Sequence, residues 1–442
     1  MDSTAFLLAA DLPTPPDWRL LGEHLPYDWI EAALSNSGSA TIRRRRLPAE
    51  QVVSLVIAMS LYRHRSIRQV VAELDLALPD SDDTCVTDSA VTQARQRLGE
   101  DPLAWLFRES AKNWRLQDAE RYHFKGLHLL AMDGTTLKLA DSAANRAHFD
   151  SPSFANDGVA SYPHARMVIL SVLRTQLVLS AEFGSYAQGE MTYAKLLLSD
   201  IPDRSLTVFD SGFLSADFFT TLCADGIDRH FLIPSRVNSK LKLIEGDEND
   251  GIVEMKISSE ARKKNPALPP HWRVRAIRSI ERNGKPTYLL TSLMDKAAYP
   301  AKSLQECYQE RWHIETSYRE MKQSMMGMAL SLRSHNVEAT RQEIWGMLIA
   351  YNLVRLEMAR AAEKAACLPT DISFVLALHT FQFEMMHAAA LQAQGNLPGV
   401  LKRMRERMII ELNVYRPDRK FDRVAKAKPQ RYPERRLRRT LT

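Results

Sequence analysis

Residues 307–322 read CYQERWHIETSYREMK, and within them Tyr308, Arg311, Glu315 and Lys322 follow one another at offsets of three, four and seven. At about 100° per residue these positions fall at roughly 0°, 300°, 340° and 320° on a helical wheel, one narrow stripe carrying a phenol, two cations and a single carboxylate. Cys307, Ile314, Tyr318, Met321 and Met325 gather beside it at roughly 220° to 280°. The spacing predicts one helix that packs on a core and turns an acid towards a cleft. Taken alone, Arg311, Glu315 and Arg319 at i, i+4 and i+8 also suit a solvated helix with weak ion pairs, so the surrounding chain has to decide.

Upstream of the stripe the pattern is that of an α/β core. Leu127 to Met132 reads as a short apolar strand that ends on Asp133 and Gly134; SLTVF at 205–209 reads as a second, ending on Asp210, Ser211 and Gly212. Between them Met167 to Leu173 and Leu177 to Phe183 predict two strands around a polar turn, and Glu190 to Leu198 a helix. Ser215 to Ala224 follows as helix and His230 to Ile233 as strand. From about Ser235 to Asp295 alternating segments such as GIVEMKI, WRVRAIRSI and TYLLTSL predict a small β insertion, after which helix resumes at Pro300.

The flanks are helical. Pro48 to Tyr62, Ser66 to Leu76 and Asp88 to Leu98 predict three short helices, the last one starting on an N-cap residue and carrying Gln93, Arg95, Gln96 and Arg97. Such a trio fits a helix-turn-helix or plain helical packing equally. The run Arg43 to Arg46 just before it adds to the case for DNA backbone contacts. Downstream, residues 342–366 form a long apolar helical pattern, with more helix to about Leu412.

Composition bounds the rest. The chain has 442 residues, 45% hydrophobic and 25% charged, ordinary for two or three globular domains. The four cysteines, Cys85, Cys223, Cys307 and Cys367, have no CxxC or zinc-finger spacing and suggest reduced thiols in a cytosol. The N-terminal apolar run lacks preceding basic residues and meets prolines at once, unlike a signal peptide or membrane span. Net charge is +6, but eleven Lys or Arg against three acidic residues lie between Arg416 and Thr442. That tail, with Tyr415, Phe421 and Tyr432 interleaved, suits either a polyanion contact, nucleic acid first, or a solvated terminus.

An Asp at the carboxyl end of a strand opens into the crevice above a sheet, although such residues also start turns and cap helices. Asp133, Asp210 and Glu315 together would repel one another unless a divalent ion sat between them, and a set without His or Cys favours Mg²⁺ or Mn²⁺. Two such ions roughly 3.5–4 Å apart activate a water or hydroxyl and stabilise a leaving oxygen. Arg311 and Lys322 are then placed to meet non-bridging phosphate oxygens, with Tyr308 able to bond or stack.

The ordered set of Asp133-Gly134, Asp210 before Gly212, and Tyr308-x2-Arg311-x3-Glu315-x6-Lys322 resembles bacterial DDE transposases of the insertion-sequence-four type, known for the YREK signature. Leu332-Arg333-Ser334, Gln342 to Gly346 and Tyr351-Asn352-Leu353 are similar to that family too. The resemblance covers nearly the whole chain. It implies an α/β multidomain protein with an RNase H-like catalytic core, a β insertion and helical flanks: 1–120 a DNA-binding helical domain, 121–234 the first part of the core, 235–295 the insertion, 296–360 the second part with the YREK helix, and 361–442 a helical region and basic tail. It further implies that Asp133, Asp210 and Glu315 hold two Mg²⁺ or Mn²⁺ ions and that Tyr308, Arg311 and Lys322 contact DNA phosphates. Arg319, on the same stripe, is an added candidate whose role the sequence leaves open: it could pair with Glu315 in the free protein and turn to phosphate when DNA binds. Many relatives have Lys or Arg where Ser211 stands, and Tyr299 is a candidate only for base stacking. The expected activity is cut-and-paste transposition on double-stranded DNA by a homodimer assembled in the bacterial cytoplasm at the nucleoid, away from membranes. A nuclease that cuts without joining and a non-catalytic DNA-binding protein are the competing readings.

Overall fold

The apolar runs around Leu129 to Met132 and Ser205 to Val208 form the centre of the fold, because strands buried on both faces need continuous rather than alternating apolar sequence. The computed structural model describes residues 24–39, 47–73, 87–115, 120–153, 160–236, 239–280, 286–327, 331–390, 397–410 and 412. The arginine run at 43–46, Cys85 and the basic tail lie outside these residues. The chain divides into two units: one of residues up to Trp114, Lys138–His164 and Arg319 onward, the other of Arg115–Leu137 and Ala165–Tyr318.

The second unit is built on a nine-stranded sheet. In chain order its strands are β1 (His128–Lys138), β2 (His164–Val172), β3 (Val178–Ser185), β4 (Ser205–Val208), β5 (Arg229–Pro234), β6 (Lys242–Gly246), β7 (Asp250–Lys256), β8 (His271–Ile280) and β9 (Pro286–Thr291). Their order in the sheet is β3-β2-β1-β4-β5-β9-β8-β7-β6. β1, β4 and β5 are parallel, with Ala131 opposite Val208 and Val208 opposite Leu232 as the last pairs in register. β9 pairs antiparallel with β5, and β8, β7 and β6 continue antiparallel from it, so the strands of the β-rich segment extend the same sheet.

One expectation is corrected at β1. The strand was expected to end before Asp133, but it runs on through Asp133 and Gly134 to Lys138. Its pairing with β4 does stop at Ala131, yet β2 lies on its other side, and alternate residues Thr135 and Leu137 are buried beyond Asp133. The added length has one partner strand instead of two.

Aromatic packing fixes the start of the loop after β4. Phe209 is fully buried, with ring centroids 5.7 Å from Phe218 and 5.1 Å from Phe219; Phe219 stacks on Phe231 at 4.3 Å. Burying one such ring contributes about 1.5–3 kcal/mol, so Asp210 follows a firmly anchored residue.

The first unit is helical, with Val337–Ala365 at its centre. The helix at Ala49–Leu61 packs closely on it at Gly346, where a Cβ would lie 2.9 Å from both the carbonyl oxygen and Cγ1 of Val56. Helices also span Tyr27–Asn36, Ile67–Glu73 and Asp88–Leu98. The last is capped by Thr87, whose hydroxyl accepts from Ala90 N–H, rather than by Asp88, which pairs with Arg68. Gln93, Gln96 and Arg97 face outward, but Arg95 is buried and donates to Gln342, Ser334 and the Ala339 carbonyl. Arg95 therefore serves packing, not an outward basic surface. Among the described residues no helix is long and apolar enough to cross a membrane.

Candidate active site

Asp133 and Asp210 each lie two residues beyond the same registered pair, Ala131 and Val208. Parallel neighbours at equal register bring their side chains to the same edge of the sheet. Each carboxylate is steadied by a nearby amide: Asp133 Oδ1 accepts from Gly134 N–H at 2.8 Å, and Asp210 Oδ1 accepts from Gly212 N–H at 2.8 Å. Asp210 thereby caps the short turn Ser211–Phe213. The capping use of Asp foreseen for strand-end acids is real here, and it orients the carboxylate without neutralising it.

The YREK segment is not one uniform helix. Helix spans Ala301–Gln309, a turn follows at Glu310 and Arg311, helix resumes over Trp312–Arg319, and Glu320–Met325 is a π-turn. At the first break four i to i−3 bonds tighten the backbone, from Glu310 N–H to Cys307 and Arg311 N–H to Tyr308, then His313 N–H to Glu310 and Ile314 N–H to Arg311. The cause is visible in side chains: Arg174, from the β2–β3 turn, grips Glu310 with two bonds of 2.8 and 2.7 Å. In the π-turn, Met326 N–H reaches Met321 carbonyl at 3.1 Å, and the buried Glu320 is bound by Arg355 and by the Tyr351 hydroxyl. The wheel that assumed a constant angle per residue is therefore corrected in both places.

Tyr308, Arg311 and Glu315 nonetheless stay together. Arg311 Nη2 donates to Glu315 Oε1 at 2.6 Å, and its guanidinium lies 5.9 Å from the Tyr308 ring centroid. Glu315 is thus paired with Arg311, the i, i+4 partner the spacing offered. Burial works against the charge of Arg311, but Tyr308, Glu315 and Asp133 around it hold its pKa above the usual value. Burial pushes the Tyr308 phenol up to about 12, with the charge of Asp210 adding to the effect. The same electrostatic neighbourhood reaches Asp133: burial raises its carboxyl to about 7, the Gly134 amide opposes that, Asp210 and Glu190 add to it and Arg311 counters it. Five of the expected residues, Asp133, Asp210, Tyr308, Arg311 and Glu315, therefore sense one another's charge.

Arg319 and Lys322 belong to the helical unit. Arg319 is exposed; Lys322 is half-buried in the π-turn and, with Lys138, faces His164, whose imidazole is held down to about 4 by burial first and by these two cations. Tyr299 is stacked on Phe124 at 6.5 Å within the protein, and Ser211 is exposed. Among the described residues no three His, Cys, Asp or Glu side chains converge closely enough to hold a metal ion as they stand. The donor set still suits a hard divalent cation. Its ligands are all oxygen, one carboxyl is pushed up by burial and by a second carboxylate, and such repulsion is what a cation relieves.

Three contributors escaped the sequence. Tyr318, buried, donates its hydroxyl to the Asp133 carbonyl. Arg236, exposed after β5, donates to the carbonyls of Ser211 and Gly212, beside Asp210. Glu190 and Arg166 form a pair next to Gly134. Only the last could have had a signal: Gly134 lies inside β1 as the strand actually runs, and a glycine within a strand marks close approach of another group.

A family described as insertion element 4 transposase N-terminal matches residues 16–108, and one described as transposase DDE domain matches residues 125–353. The chain is 34% identical over 420 residues to transposase InsG for insertion sequence element IS4 of Escherichia coli (strain K12), covering 93% of each protein. It is 37% identical over 238 residues to the putative transposase InsZ of the same organism, covering 53% of this chain and 77% of that one. Among solved structures it is similar to the piggyBac transposase in a synaptic complex with hairpin DNA, with TM-score 0.45 and 11% identity over 92% of this chain and 87% of that one. The chain belongs to the insertion element 4 family of DDE transposases.

Proposed function

We propose that this transposase binds the terminal inverted repeats of an insertion sequence and catalyses cleavage and strand transfer with Asp133, Asp210 and Glu315 as the DDE triad, in a core of RNase H-like type. The observation that carries the reading is the equal register of Asp133 and Asp210 on neighbouring parallel strands, with Arg311 facing Asp133 and bonded to Glu315. The three carboxylates would hold two Mg²⁺ or Mn²⁺ ions, whose chemistry is to activate the attacking water or hydroxyl and to stabilise the leaving oxygen.

The roles of the chain's own residues follow from their charge. Arg311 stays cationic and offers a fork to non-bridging phosphate oxygens, which is how such groups stabilise charge in phosphoryl transfer. Tyr308, pushed up to about 12, is neutral at any working pH and acts as a hydrogen-bond donor or stacking surface, not as a base. Lys322 and Arg319 are assigned to DNA backbone from the helical unit. The N-terminal helices up to residue 120 and the basic tail are assigned to DNA binding, and pairing of two element ends calls for a homodimer in the assembled complex. The working compartment is the bacterial cytoplasm, at the nucleoid.

Single replacement of Asp133, Asp210 or Glu315 by Ala is expected to abolish Mg²⁺-dependent cleavage at the element ends while end binding persists. Cleavage retained in all three variants would sink the reading. Strand transfer from pre-cleaved ends separates a transposase from a nuclease, which gives no joined product.

A further inference from the structure

We infer that Glu190, oriented by Arg166, is a positioning residue for Asp133, an inference that rests on the triad proposed above. Gly134 follows Asp133 directly, and a Cβ built on it would lie 2.5 Å from Cδ and 2.9 Å from Oε2 of Glu190. The Glu190 carboxyl group therefore lies against the main chain of Gly134, whose amide also holds Asp133 Oδ1. No side chain other than hydrogen leaves room for it.

Glu190 is itself fixed from β2. Arg166 Nη1 donates to Glu190 Oε1 at 2.9 Å; its other nitrogens donate to the Tyr186 carbonyl at 3.3 and 3.1 Å, and its guanidinium lies 4.7 Å from the Tyr186 ring centroid. Tyr186 thus holds the guanidinium in place, and one bond from it orients the Glu190 carboxylate. Tyr318 grips the carbonyl of Asp133 itself. The peptide that carries Asp133 lies against Glu190 from the helix after β3 and is bonded by Tyr318 from the YREK segment.

A simple surface ion pair does not account for this arrangement. The Glu190 side chain is 39% exposed, and pairs that exposed contribute little to stability. What the pair does supply is an oriented carboxylate beside the Asp133–Gly134 backbone. Groups that orient a ligand without binding the metal commonly change metal affinity by 10–100-fold. Glu190 fits that role towards the ions assigned to Asp133.

The test uses the full-length protein and Mn²⁺ as the probe, titrated by electron paramagnetic resonance, together with thermal unfolding and end cleavage. Glu190→Gln keeps the shape and removes the charge; about a tenfold rise in the Mn²⁺ concentration at half-saturation is expected, with slower cleavage and an unchanged Tm. Gly134→Ala, which pushes the carboxyl aside, is expected to weaken Mn²⁺ binding in the same way. Parent-like Mn²⁺ titration of Glu190→Gln, or a lower Tm with intact Mn²⁺ binding, would overturn the inference. Asp210→Asn is the control: if it also binds Mn²⁺ like the parent, the triad reading falls and this one with it, whereas loss in Asp210→Asn alone overturns only the role of Glu190.

Discussion

Arg311 bonds Glu315 through Oε1 while its charge also lowers the proton affinity of Asp133. One guanidinium thus serves two of the three acids, which come from opposite ends of the chain's catalytic region. It is a cation that Asp133 and Glu315 share, and its planar fork suits bidentate recognition of an oxyanion.

Replacing Arg311 by Ala should therefore leave end binding within a few-fold of the parent and slow cleavage by about 100-fold, the usual cost of removing one donor aimed at developing charge. Arg311→Lys should recover only part of that loss, because an ammonium lacks the fork. Single-turnover cleavage at saturating DNA measures both. Parent-like cleavage by Arg311→Ala would confine the residue to a structural ion pair.

The Arg236 guanidinium stands beside the turn after Asp210 and donates to the Ser211 and Gly212 carbonyls at 3.3 Å each. Carbonyls leave its positive charge unneutralised, and it lies next to Ser211. If it meets a DNA phosphate, Arg236→Ala should reduce the slope of log affinity against log salt by about 0.9. Binding measured across a salt series reads this directly, and an unchanged slope would place Arg236 off the DNA.

The parts of this architecture that could be read from sequence are those where one residue's neighbours in the chain decide its fate. The apolar run before Asp210 had to be a buried strand, and the alternating sequence of the segments that became β7, β8 and β9 marked them as strands, although in burial β7 alternates only in part and β8 and β9 have continuous buried runs. The failures share a different cause. β1 continues past Asp133 because β2 supports it, Arg95 turns inward because Gln342 and Ser334 receive it, and the YREK helix breaks because Arg174 holds Glu310. Each depends on a partner far away in sequence. β6, inside the β segment expected from Ser235 to Asp295, was not singled out as a strand, and all five of its residues are exposed.

Acid should unfold the helical unit through Glu357. Burial opposes its ionisation, but bonds from His24 and Arg405 outweigh that and hold its carboxyl down to about 2, from 4.5. A depressed carboxyl stabilises the fold fully above the unfolded value of 4.5, and the contribution is lost as pH falls from there towards 2. The lost stability is about 3 kcal/mol at most. Chemical denaturation from pH 6 to pH 2 should show that decline, and Glu357→Gln should be less stable at pH 6 with a flatter profile.

Gly346 tests the packing of the central helix. A methyl group there would meet the Val56 carbonyl oxygen and Cγ1 at 2.9 Å, and the first of these is backbone that cannot rotate away. Alanine favours an isolated helix over glycine by about 1 kcal/mol, so propensity alone would make Gly346→Ala stabilising. The contact argues the opposite, since overpacking a tight interface costs about 1–3 kcal/mol. The steric term should win because both helices are buried at this crossing, with Val56 and Leu348 fully inaccessible and no slack to absorb the shift. A lower Tm for Gly346→Ala, restored in part by Val56→Ala only if the Cγ1 contact dominates over the carbonyl, would separate the two clashes.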